Sequence, residues 1–189
     1  MTSPTQPPFS RPYEVAQAES VARTVKLEPT EAERMALAKE MGVVAIGALK
    51  AQLVITAAAR GQFIVTGWVK GKVTQTCVVS LEPFETEVDE EVEVTFAPPE
   101  EVERLESAYA ERREEDPTGL DRPEPPDAID NGRIDLGVIA GEFLALGLDP
   151  YPRKPGVEFA LPPELTPSED EKESPFAALA KLKKGPGTE

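Results

Sequence analysis

The stretch TQTCVVSLEPF, residues 74–84, holds the only cysteine of a 189-residue chain. Cys77 stands three residues ahead of Ser80, where a second cysteine would complete a CxxC. The sulfur could therefore be a nucleophile, the remnant of a metal site or a buried strand side chain. The chain has no histidine, which removes imidazole as the partner of a nucleophilic Ser or Cys, as a proton shuttle near neutral pH and as a zinc ligand. One thiolate with scattered carboxylates does not make up a four-ligand zinc site. Strand parity places Cys77 with Phe63, Val65, Val69 and Val73, so a buried strand residue is the favoured outcome. We expect no catalytic residue, no metal ligand and no cofactor.

Two charged sets could instead recognise a partner. Arg60, Lys70 and Lys72 fall on a predicted hairpin, and Arg153 and Lys154 follow the last predicted helix. Trp68 shares a strand face with Lys70 and Lys72, and a basic and aromatic mixture suits stacking and backbone contact with RNA; the plain alternative is an ordinary solvent face. Glu85, Glu87, Asp89, Glu91 and Glu93 alternate along another strand. They either dock a basic protein or keep a sheet edge solvated. Alternating strand positions lie about 7 Å apart and point one way, so these carboxylates do not converge on a metal. In the tail SPFAALAKLKK, Phe176, Leu179, Ala180 and Lys183 follow helical spacing, and Lys181, Lys183 and Lys184 add positive charge. A helix this short is marginal alone; it docks, on RNA or a protein, or it frays.

Twenty Lys and Arg against 35 Asp and Glu give a net charge of −15. That balance opposes generic binding to phosphate backbones, which relies on cations releasing condensed counterions. It draws in a basic protein. A single cysteine excludes an internal disulfide framework and points to a reducing compartment, the cytoplasm. No run approaches the roughly 18 apolar residues of a membrane span, and MTSPTQPPFSRPYEV lacks the regions of a secretory signal. No membrane partner is expected.

The elements that must position these residues follow from hydrophobic period and breakers. Residues 1–8 are Pro/Ser/Thr-rich and expected to be flexible. Residues 9–160 form one domain, with residues 98–126 as a flexible acidic insertion holding a short helix around 100–113. Residues 161–189 are a linker and the short basic tail. Within the domain, strands are predicted over residues 11–17 and 21–28, the latter turning Val21, Val25 and Leu27 inward. Thr30 and Glu33 make a TxxE capping box opening a helix that Gly42 stops. A long strand over residues 43–60, bent near Gly47, though its alanines also allow a helix, pairs as a hairpin with residues 62–79, and a further strand spans residues 85–96. Asp135 caps a second main helix to Leu148, with Leu136, Ile139, Ala140, Phe143 and Gly147 on one stripe. The sum is an α+β domain on a largely antiparallel, strongly bent sheet with two main helices and flexible charged insertions and tail.

In order along the chain, PFSRPYEV, the TxxE helix, GWVKGKVTQTCVVSLEPFETEVDEEVEVTFAP, an acidic insertion and GRIDLGVIAGEFLALGLDPYPRKPGVEF resemble the YceD family, the large ribosomal RNA subunit accumulation proteins. The resemblance covers most of the chain outside the insertion. It implies a bacterial cytoplasmic factor, without an established enzymatic reaction, needed for normal accumulation of large-subunit (23S) ribosomal RNA. The implied partners are that RNA or a precursor, contacted directly or through a basic ribosomal protein. Many members look like they carry a CxxC where this chain keeps Cys77 and places Ser80 at the second position, a departure that speaks against a metal here.

Overall fold

The computed structural model describes residues 7–112 and 125–158. The expectations for residues 1–6, for the middle of the insertion, and for the linker and tail with Phe176, Leu179, Lys181 and Lys183 lie outside the described residues. The chain divides after Pro155. All the elements named below belong to the first unit, and of the second only residues 156–158 are described.

In chain order the elements are β1 (Pro12–Glu14), β2 (Arg23–Leu27), α1 (Glu31–Met41), β3 (Ala45–Ala57), β4 (Phe63–Thr76), β5 (Pro83–Ala97), α2 (Pro99–Arg112), β6 (Asp127–Ala128), β7 (Arg133–Asp135) and α3 (Leu136–Leu146). The main sheet runs β2-β3-β4-β5-β6, antiparallel except for the short parallel β5–β6 pair, while β1 and β7 form a separate antiparallel pair. The sheet is open. The class is α+β, as expected, with α2 as a third helix over the short helical stretch foreseen in the insertion.

Local chemistry explains α1. The Glu33 amide donates to Thr30 Oγ1 at 3.3 Å and the Thr30 amide donates to Glu33 Oε2 at 2.7 Å, closing the capping box. Gly42 ends the helix at φ 68°, a left-handed position that a Cβ disfavours. Glu33 also accepts both guanidinium arms of Arg11, at 2.7 and 3.0 Å. That ion pair, with the Thr30 amide, holds the Glu33 carboxyl down to about 2.

Residues 45–57 and 63–76 pair over nearly their whole length, and the register shifts between Ile46 and Ala48, so Gly47 sits in the bulge where the bend was expected. Their inward residues, Leu49, Leu53 and Ile55 on β3 with Val65, Val69 and Val73 on β4, are buried. Leu136, Ile139, Ala140 and Leu144 of α3 and Leu37 of α1 join the same core. Fully burying each Leu- or Ile-sized side chain stabilises the fold by about 1.5–3 kcal/mol.

Several elements end at positions other than those expected from the sequence. The predicted strand 11–17 is only Pro12–Glu14 before the chain turns into a 3-10 helix at Val15–Ala18, and it pairs with β7 outside the main sheet. Val21 is 63% exposed, because β2 begins only at Arg23. The strand holding Trp68 stops at Thr76, so Cys77 lies in the turn beyond it. The next strand begins two residues earlier than expected, at Pro83. On α3 the buried stripe includes Leu144, while Phe143 is half-buried.

Candidate functional site

The outer face of β3, β4 and β5 collects most of the charged candidates. Cross-strand register sets Lys50 beside Lys70 and Lys70 beside Asp89, Gln52 beside Trp68 and Trp68 beside Glu91, and Lys72 beside Glu87. Side chains two apart on a strand share a face. The lysines therefore occupy the β3–β4 half of this surface and the carboxylates the β5 half. A shallow hollow of about 360 Å³ opens among Ala48, Lys50, Trp68, Lys70, Lys72 and Asp89.

Within it Lys70 Nζ lies 2.7 Å from Asp89 Oδ2 and 5.6 Å from the centre of the Trp68 ring. Lys72 Nζ lies 3.1 Å from Glu87 and 3.4 Å from Glu85, and those two carboxylates, Glu87 foremost, raise its pKa. Each of these side chains is half exposed or more, so solvent screens each pair and it yields readily to a stronger partner. Glu91 and Glu93 are exposed and have no ion-pair partner among the described residues.

The six basic and aromatic candidates do not form one patch. Trp68, Lys70 and Lys72 are together. Arg60 lies in the turn between β3 and β4, with φ 59°, 3.7 Å from Glu101 of α2. Arg153 and Lys154 lie at the far end of β4, whose length at about 3.3 Å per residue separates them from Arg60 by tens of ångströms. Arg153 is exposed, whereas Lys154 Nζ is held 2.7 Å from Glu82.

Cys77 is buried, as its parity predicted, but the turn gives it surroundings that parity could not reveal. The backbone N–H groups of Val79, Ser80 and Lys154 all donate to its sulfur at 3.4 Å. The Ser80 hydroxyl foremost, then these amides, hold the thiol down to about 6 against the opposing effect of burial. Sequence reasoning found nothing to favour the thiolate because the donors are mostly main chain, one of them 77 residues away. The position of a missing second cysteine is thus occupied by a hydroxyl that serves the first.

This geometry fixes a pH dependence. An unfolded cysteine titrates near about 8.5, above the folded value of about 6, so between them the unfolded state binds more protons and stability rises with pH. The thiolate's contribution is complete above the unfolded value and is lost as pH falls through the folded one. The urea midpoint of the wild type relative to Cys77→Ser should therefore climb from pH about 6 to about 9. Parallel profiles for the two proteins would refute the assignment.

Among the described residues, no group of three or more Cys, Asp and Glu side chains is placed to hold a metal ion. Nor is any helix there long and apolar enough to cross a membrane. The family model described as "Large ribosomal RNA subunit accumulation protein YceD" matches residues 65–183, more than half of the chain. The chain belongs to the YceD family. The match takes in the β4–β5 hairpin with Trp68, Lys70, Lys72 and the carboxylate row, together with Cys77, α3 and Lys154. No curated protein and no solved structure matches this YceD-family chain.

Proposed function

We propose that this chain is a non-enzymatic factor that supports the accumulation or processing of 23S ribosomal RNA during assembly of the large subunit in the bacterial cytoplasm. The observation that carries the reading is the match to the large ribosomal RNA subunit accumulation family over residues 65–183. A binding role agrees with a chain that has no histidine and whose single cysteine is buried. Deleting the gene should lower large-subunit relative to small-subunit ribosomal RNA, measured by resolving total RNA. An unchanged ratio in a clean deletion would overturn the proposal.

A second reading concerns how the RNA is reached. On this face the carboxylates Glu85, Glu87, Asp89, Glu91 and Glu93 outnumber Lys50, Lys70 and Lys72, and that net negative charge favours contact through a basic ribosomal protein over direct phosphate binding. On this reading Glu91 and Glu93 extend the attraction, and Arg153 remains as the exposed cation beside the Cys77 turn. Crosslinking should recover as much RNA with Lys70→Glu, Lys72→Glu as with the wild type. A sharp loss in the double variant would return the hairpin lysines to direct RNA contact.

A further inference from the structure

Gln75 sits at the end of β4 and, at 6% exposed, is the one polar side chain that is buried as a whole among the described residues. Its amide nitrogen donates to the main-chain oxygen of Asp149 at 3.1 Å. Because that neighbour is an acceptor, the amide orientation is forced, and Oε1 is left without a hydrogen-bond partner among the described residues. A buried acceptor in this state costs stability unless a donor reaches it. Gln75 also lines a groove of about 400 Å³ between the ends of α1 and α3.

The groove has one electrostatic character. The carboxyl ends of two helices meet there, α1 through Met41 and its cap Gly42, α3 through Ala145 and Leu148 beyond its cap Gly147. Helix carboxyl ends carry roughly half a negative charge each; here the cap amides of Gly42 and Gly147 already use the oxygens of Ala38, Lys39, Phe143 and Ala145, and Lys39 in the last turn of α1 offsets part of that end's charge. Asp149 adds a carboxylate at the rim, and no Lys or Arg lines the space. Phosphate is repelled by such a site. Met41, Leu148, Pro150 and Pro152 supply apolar walls suited to a methylene stem that ends in a charged head.

We propose that this groove binds the guanidinium or ammonium head of a basic side chain presented by a protein partner. It draws on the protein-partner reading above only for the kind of partner, and its chemistry stands whatever the ribosomal RNA ratio proves to be. The cationic head brings several N–H donors and no acceptor, which suits the Asp149 carboxylate, Gln75 Oε1 and the Thr76 hydroxyl oxygen among the lining groups. It enters beside helix ends and Asp149, its stem lies on the apolar walls, and a small adjustment of Gln75 satisfies Oε1.

The test titrates acetyl-Gly-Arg-Gly-amide, and separately its neutral citrulline counterpart, into the isotope-labelled full chain, following the Gln75 side-chain amide and the Met41 methyl by NMR. The arginine peptide should shift both signals and bind at least about tenfold tighter than the citrulline peptide. Gln75→Leu should keep the fold and lose about tenfold in affinity. Met41→Lys, which places a competing cation at the rim, should lose as much if the leucine variant misfolds. Absent shifts, equal affinity for the two peptides, undiminished binding by the variants, or the same shifts produced by a single-stranded RNA oligonucleotide would each overturn the proposal.

Discussion

Gly67→Ala is expected to lower the unfolding free energy by about 3–5 kcal/mol, near the upper end for a single substitution. Gly67 lies in mid-hairpin, opposite Leu53 on β3 and Val92 on β5, at φ 153°. A Cβ built there collides with the main-chain oxygen of Gln52 and lies 3.0 Å from the Leu53 Cα. Neither atom can move without breaking the long ladder between β3 and β4. The cost thus combines a backbone conformation that L side chains rarely adopt with steric overlap against fixed atoms. Gly42→Ala is the matched control: it also forces a positive φ, but nothing lies within 4 Å, and it should lose only about 1 kcal/mol. Urea titration of both variants separates the two effects, and equal losses would show that the close approach to Gln52 carries no weight.

The second large effect is expected at Asp135, whose replacement by alanine should lose about 2–4 kcal/mol. Its Oδ1 accepts from the Gly137 and Val138 amides at 3.0 and 3.2 Å, capping α3. The same carboxylate accepts from the Arg11 amide at 2.7 Å and from the Ser10 hydroxyl. One side chain thus starts the most buried helix and ties down the segment before β1. Asp135→Asn keeps the shape and an acceptor oxygen and should recover at least half of the loss. If Asp135→Ala melts with the wild type, the bonds to Ser10 and Arg11 are not sustained in solution.

Much of the fold was legible because local signals agreed with the tertiary structure. The TxxE box of α1, the Gly42 stop, the bend at Gly47 and the alternation of Val65, Val69 and Val73 are each set within a few residues. The failures came where distant residues decide. Parity showed which way Cys77 faces but not that the strand ends at Thr76, and nothing near it announces a donor from Lys154. Val21 shares the parity of buried Leu27, yet β3 offers it no partner, since its ladder with β2 starts at Arg23. Strands of two or three residues such as β6 and β7 carry no period and exist because β5 and β1 are there to pair with.

The candidate site divides along the same line. Charge alternation placed Lys70, Lys72, Glu85, Glu87 and Asp89 on solvent-facing positions, but only the β4–β5 register shows that they neutralise one another. Gln75 escaped notice because a single glutamine in a strand has no spacing to betray it. Its importance arises from Asp149, 74 residues further along.

The pairing of β1 with β7 also sets an order of events at the ribosome. Pro12 has to wait for Asp135, and at about 5–20 residues per second that delay is roughly 6–25 s. Over that interval the β2–β5 meander can close on nearest neighbours while Phe9, buried in the finished fold, stays uncovered. The nascent chain therefore seals from its middle outward, and Pro12–Glu14 are among the late segments of the described residues to pair.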